Sequence, residues 1–236
     1  MPDKYLYLFI NLGSIIVPFL FSFHPKLRFT EKWKSFFISN LIVASFFIIW
    51  DIYFTKMGIW GFNERYITGI KIFNLPIEEI LFFICIPYAS LFTYHCFSVL
   101  YPKRFQQPTA RTTIILAVFL ILVIIFSDFK WYTTFTFSLL FLTLGIIIIF
   151  QKTAALNLFY FTYLIILIPF FIVNGILTGT GIEDEVVWYN NSENLGIRIL
   201  TIPVEDIFYG MLLLLWNTIL FDYFKIKQSE SISVSI

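Results

Sequence analysis

The sequence predicts an all-α integral membrane protein of about seven transmembrane helices. They are arranged as two parallel three-helix repeats joined by a connecting helix. Three observations carry this. Of 236 residues, 59% are hydrophobic and only 13% charged, with a mean hydropathy of +0.84; a water-soluble domain of this size carries roughly 25% charged residues. The apolar residues fall into long runs separated by short polar stretches. A polar motif then occurs twice, each time leading into such a run, and an internal repeat is the first thing to seek in a chain.

The apolar runs lie at about 5–23, 34–55, 77–99, 112–127, 131–150, 155–177 and 204–224. Each is close to the ~20 residues that cross a bilayer. The expected division is 1–100 for the first repeat, 101–130 for the connecting helix, 131–227 for the second repeat and 228–236 for a cytoplasmic tail. The N-terminus has neither a basic region nor a small-residue cleavage site, so no cleaved signal peptide is expected.

Orientation follows from Lys and Arg in the loops. Lys26, Arg28, Lys32, Lys34, Lys103, Arg104, Arg111, Lys152, Lys225 and Lys227 share one side, against Lys4, Lys56, Arg65, Lys71, Lys130 and Arg198 on the other. That ten-to-six bias puts the C-terminus in the cytoplasm and the N-terminus outside a cell (inner) membrane. The net charge of +1 gives no reason to expect nucleic acid. Aromatic residues make up 21% of the chain, with 31 Phe, most of them expected to face lipid.

The repeated motif is Gly69-Ile70-Lys71-Ile72-Phe73-Asn74-Leu75-Pro76-Ile77-Glu78-Glu79, which returns as Gly196-Ile197-Arg198-Ile199-Leu200-Thr201-Ile202-Pro203-Val204-Glu205-Asp206 at a constant offset of 127. Both copies open a helix from the same, outer face. Three crossings reverse the chain's direction, and the fourth helix restores it. The repeat is therefore parallel, with a pseudo-two-fold axis along the membrane normal, and the two motifs are expected to face a shared central cleft. Upstream, Trp50-Asp51 parallels Val173-Asn174, and Trp60-Gly61-Phe62-Asn63 parallels Val187-Trp188-Tyr189-Asn190. The loops 56–75 and 178–202 carry Trp60, Trp188, Asn63 and Asn190. They read either as an interfacial aromatic belt or as a rim over the cleft that touches substrate.

A Pro followed by acids is also an ordinary helix start. Its duplication, and the cost of ionisable groups near hydrocarbon, favour a working role. Neighbouring helical residues point ~100° apart, so Glu78 and Glu79 cannot face one spot equally. At i,i+4 spacing Glu78 meets Phe82 and Glu205 meets Tyr209. Glu78 and Glu205 are therefore the first candidates, with Glu79 and Asp206 second and paired with Lys71 and Arg198. Asp51 and Asn174 either hydrogen-bond these carboxylates or face interfacial water. A buried acid beside an aromatic ring can protonate a poorly basic substrate and hold a cation by cation–π attraction. That suits an alkene passing through a carbocation, on a hydrocarbon drawn from the bilayer.

On these residues the chain resembles the heterodimer-type, or fused, lycopene cyclase family. Leu75-Pro76-Ile77-Glu78-Glu79-Ile80-Leu81-Phe82-Phe83, Val173-Asn174-Gly175-Ile176-Leu177-Thr178-Gly179, Trp188-Tyr189-Asn190 and Ile202-Pro203-Val204-Glu205-Asp206 carry the resemblance. It implies non-redox cyclisation of the linear ends of lycopene to β-ionone rings. Glu78, Glu79, Glu205 and Asp206 would be acid and base, with the roles of each left open. The partners implied are a carotenoid and membrane lipid, with no nucleic acid; the oligomeric state is left open.

No cofactor is expected. Gly179-Thr180-Gly181 continues as Ile182-Glu183-Asp184, unlike a dinucleotide fingerprint. Cys85, Cys96, His24 and His95 have no metal-ligand spacing, and the cysteines, ~16 Å apart along a helix, are too distant for a disulfide. Three rivals remain. A retinal protein would need a buried mid-helix Lys, which the last helix lacks before Lys225. A prenyltransferase would need paired Asp-rich motifs, and Glu183-Asp184-Glu185 stands without a partner cluster. A small proton- or cation-coupled transporter fits the symmetry but leaves the aromatic beneath each acid unexplained.

Overall fold

The computed structural model describes residues 3–101, 110–150 and 154–234. Lys103, Arg104 and Lys152, counted in the charge bias, lie outside the described residues, as do Ser235 and Ile236 of the tail. Seven α-helices form among the described residues: α1 Leu6–Phe21, α2 Trp33–Lys56, α3 Ile77–Leu100, α4 Ala110–Phe126, α5 Trp131–Ile149, α6 Ala154–Leu177 and α7 Val204–Val234. Six are long and apolar enough to cross a membrane; α4 is shorter, at 17 residues. The protein is an all-α membrane protein.

Two departures from expectation concern the ends and loops. The polar tail is helical, because α7 runs on to Val234. No Pro or Gly follows Lys225 to stop it, and Gln228 ties it down by accepting from the Ser35 hydroxyl at 2.9 Å. The loops also carry short strands: β1 Trp60–Phe62, β2 Lys71–Ile72, β3 Leu75–Pro76, β4 Val187–Tyr189, β5 Arg198–Ile199 and β6 Ile202–Pro203. Each acidic motif is preceded by a two-residue hairpin, β2–β3 or β5–β6, in matching register. Phe73 and Leu200 take positive φ at the first turn position, 58° and 57°, as type II′ hairpins require. The Ile77 N–H returns to Ile70 O, and the Val204 N–H to Ile197 O. The repeated segment is thus a hairpin that launches a helix.

The chain forms two compact units. The first comprises 1–56, 64–96 and 213–236. Its core is a cluster of Phe29, Phe36, Tyr88, Leu91, Phe92 and Phe221. Pro87 has no N–H and frees the carbonyl of Phe83; Asn40, buried on α2, donates to that carbonyl at 2.9 Å and to Asn217 Oδ1 at 3.3 Å. In hydrocarbon such a freed group must find a partner. Phe37, Leu41, Ile49 and Tyr53 form an exposed stripe along α2 at multiples of four residues, the expected lipid face. Several Phe residues depart from the lipid-facing expectation, since Phe29, Phe36, Phe47, Phe83 and Phe221 are fully buried.

The second unit comprises 57–63 and 97–212. Here α4 and α5 pack together around a turn with Asp128 and Phe129 at positive φ. Phe208 on α7 packs edge-on against Phe137 at 4.6 Å. Strands β1 and β4 pair antiparallel, Trp60 with Tyr189, Gly61 with Trp188 and Phe62 with Val187. The ladder continues through Asn63 N–H to Val186 O and Asn190 N–H to Ile59 O, both 2.9 Å. Repeat-equivalent residues exchange places across it, so the ladder has a local two-fold through Gly61 and Trp188.

Candidate active site

Each unit carries one pair of acids in the first turn of a long helix. In the first unit, Glu78 and Glu79 open α3 and are buried. The hairpin returns the chain so that the Thr68 N–H donates to Glu78 Oε1 at 2.8 Å. Glu78 Oε2 is buried without a hydrogen-bond partner. Asn11 on α1 donates to the Glu78 backbone carbonyl at 2.7 Å, and the Tyr7 hydroxyl donates to Glu79 Oε2. Phe82 lies one turn below Glu78, its ring 6.4 Å from that of Tyr7. Asp51 is buried on α2 and accepts from Thr55 at 3.3 Å.

The second unit repeats this frame with more donors. The Leu195 N–H donates to Glu205 Oε1 at 2.7 Å, and the Thr133 hydroxyl to the same oxygen at 2.6 Å. Glu205 Oε2 is again buried and without a partner. Asp206 Oδ1 accepts from the Tyr132 hydroxyl at 2.6 Å, and Oδ2 from Asn174 and the Tyr189 hydroxyl, each at 3.0 Å. Successive residues of α5, Tyr132 and Thr133, thus hold successive acids of α7. Around them Trp60, Tyr132, Tyr189 and Tyr209 cluster, with centroids of Trp60 and Tyr132 5.1 Å apart and Tyr209 6.2 Å from both.

The two carboxyl types differ in kind. Both oxygens of Asp206 are matched by donors. A carboxyl with one buried oxygen unmatched is costly unless that oxygen meets something else. Glu78 and Glu205 share that feature at equivalent positions.

The expected ion pairs are replaced. Lys71 pairs with the exposed Glu64. Arg198 donates to Thr201 O at 2.6 Å and Asn191 Oδ1 at 2.8 Å. Tyrosine hydroxyls, not these cations, meet Glu79 and Asp206, because the hairpin carries Lys71 and Arg198 on its strands while the acids, in the first turns of α3 and α7, reach tyrosines of α1 and α5. Of the two alternatives for Asn174, the carboxylate bond is the one that forms. Trp60 and Tyr209 join the second site. The ring of Trp188 instead lies across Gly61, and Asn190 is exposed and closes its own loop by accepting from Ser192. Asn63 meets Val186 through its backbone. Sequence reading missed Tyr7, Tyr132, Thr133 and Tyr189. An offset of 125 between Tyr7 and Tyr132 is the signal that extending the repeat to the first helix of each copy would have found. Among the described residues no cluster of His, Cys, Asp and Glu is arranged to hold a metal ion.

Fold and site together define a polytopic helical membrane protein with a duplicated pair of buried acids. A family model described as lycopene cyclase matches residues 4–97 and 129–224, two segments that mirror the repeat. The chain belongs to the lycopene cyclase family. It is similar to bifunctional lycopene cyclase/phytoene synthases. One from Pyrenophora tritici-repentis (strain Pt-1C-BFP) is 32% identical over 72 residues, 30% of this chain and 12% of the relative. One from Arthroderma gypseum (strain ATCC MYA-4604 / CBS 118893) is 26% identical over 109 residues, 42% of this chain and 18% of the relative. One from Podospora anserina (strain S / ATCC MYA-4624 / DSM 980 / FGSC 10383) is 30% identical over 86 residues, 35% of this chain and 14% of the relative. The chain therefore matches less than a fifth of the length of each of these relatives. No solved structure matches the chain significantly.

Proposed function

We propose that this chain is a lycopene cyclase that closes the linear ends of lycopene into β-ionone rings, giving γ- or β-carotene without redox change. The observation that carries the reading is the buried, unpartnered Oε2 of Glu78 and of Glu205. In each, the backbone N–H of Thr68 or Leu195 holds the other oxygen, which leaves Oε2 free to deliver a proton to an apolar substrate. Protonation of a terminal double bond gives a tertiary cation; the next double bond attacks it and closes the ring; a proton then leaves. The charge is transient, and the rings of Trp60 and Tyr209 offer cation–π stabilisation worth ~0.5–2 kcal/mol. Glu79 and Asp206 complete the acid and base set. The carotene reaches the site from the bilayer. Membership of the family displaces the transporter reading.

The loop charge bias supports an N-terminus outside and a C-terminus in the cytoplasm of a cell (inner) membrane. Expression in a lycopene-accumulating bacterium, followed by pigment chromatography, tests the activity. Cyclic carotenes are expected. Unchanged lycopene in cells that contain the intact membrane protein would count against the reading.

A further inference from the structure

Ring closure leaves a cation on a ring carbon with three kinds of neighbouring C–H bond. Loss of the proton from the ring-junction carbon, which bears the polyene, gives the β ring. Loss from the ring methylene moves the double bond and gives an ε ring. Loss from the methyl group gives an exocyclic methylene, the γ ring. All three products have the same atoms and differ only in which proton goes to the base. The position of the base therefore decides the product.

We propose that Asp206 is this base and that Tyr132, Tyr189 and Asn174 are positioning residues that fix the ring type. The proposal rests on the cyclase reading. Asp206 is buried and accepts on both oxygens, from Tyr132 on Oδ1 and from Asn174 and Tyr189 on Oδ2. A carboxylate held from two helices and one strand in this way cannot rotate about its side-chain bonds without breaking a hydrogen bond. The rings of Tyr132 and Tyr189 stack at 5.8 Å and meet Trp60, so the holding groups also wall the place where a cation would sit. Glu205, one residue earlier, has a different role, since its Oε2 has no partner. Acid and base thus stand ~100° apart on one helix.

The first repeat does not supply the same cradle from its corresponding positions. Tyr132 has its counterpart in Tyr7, which donates to Glu79. Where the second repeat has Tyr189 the first has Phe62, with no hydroxyl. Where it has Asn174 the first has Asp51, with no amide. Of the three positions that hold Asp206, only the tyrosine of the first helix of each repeat is kept in both.

The test expresses the full chain and its Tyr189→Phe, Asn174→Ala, Tyr132→Phe and Asp206→Asn variants in a lycopene-accumulating bacterium. The amount of membrane-inserted protein is measured for each, and ring types are assigned by chromatography and proton magnetic resonance. Removing one donor should raise the ratio of ε plus γ rings to β rings about tenfold, the scale of one hydrogen bond to a charged group. Asp206→Asn should lose cyclic product at equal protein level. Wild-type ring proportions in all three donor variants, whatever their yields, would overturn the proposal. So would full cyclisation by Asp206→Asn. A wild-type chain that makes no ring would remove the cyclase reading itself, and a wild type that cyclises beside variants of unaltered ring type would remove only the assignment of the base.

Discussion

The backbone N–H of Leu195 donates to Oε1 of Glu205 at 2.7 Å from ten residues upstream. Thr68 and Glu78 stand in the same relationship at 2.8 Å. A backbone donor at the mouth of a β-hairpin orients each glutamate so that its second oxygen is buried and unmatched. The part of this orientation that both glutamates share is set by chain geometry, so the same hairpin builds it twice; at Glu205 the Thr133 hydroxyl adds a second donor.

If those oxygens deliver the proton, Glu78→Gln and Glu205→Gln should each lower turnover by ~10²–10⁴-fold, the usual scale for a lost general acid. Both variants should fold, because the amide keeps the Thr68 or Leu195 bond. Carotene formation in isolated membranes, normalised to protein amount, is the measurement. Full activity in both would remove the role assigned to them.

Thr133→Val removes one of the two donors to Glu205 Oε1 and leaves Leu195 in place. A loss of about 1 kcal/mol of positioning corresponds to a several-fold fall in kcat. Initial rates in membranes should show a partial defect, milder than Glu205→Gln.

Gly61 faces Trp188, and a Cβ there would lie 2.3 Å from the indole ring. Gly61→Ala must displace the Trp188 ring, at a cost of ~1–3 kcal/mol for an overpacked site. Thermal unfolding in detergent should show a lower midpoint, and Trp fluorescence should shift as the indole moves.

Asn40→Leu strips the partner from the Phe83 carbonyl, which Pro87 has already freed. A buried carbonyl left unmatched costs ~1–3 kcal/mol. The variant should unfold at lower temperature in detergent. Adding Pro87→Ala should restore much of the loss, because the alanine N–H can close the helix.

The hairpins show why part of this was unreadable. Two-residue turns announce themselves by Asn-Gly or Asp-Gly, but here Phe73 and Leu200 carry the positive φ. Neither residue suggests a turn, and the strands of two residues are too short to show alternation. The tyrosines were hidden for another reason. Tyr7 lies 72 residues from Glu79, and Tyr132 lies 74 from Asp206, within apolar runs where one Tyr looks like any aromatic facing lipid or the interface.

By itself the sequence determined the membrane class, the positions of the helices and the repeat with its acids. Hydrophobic run length and a motif at constant offset are local properties, legible without folding. Only the tertiary structure decided which groups meet the acids: tyrosine hydroxyls in place of Lys71 and Arg198, a backbone N–H on each glutamate, and Asn174 on Asp206. Those choices depend on how distant helices and hairpins pack. In a low-dielectric interior each buried oxygen takes the donor that packing brings within reach, and nothing in the local spacing of residues records it.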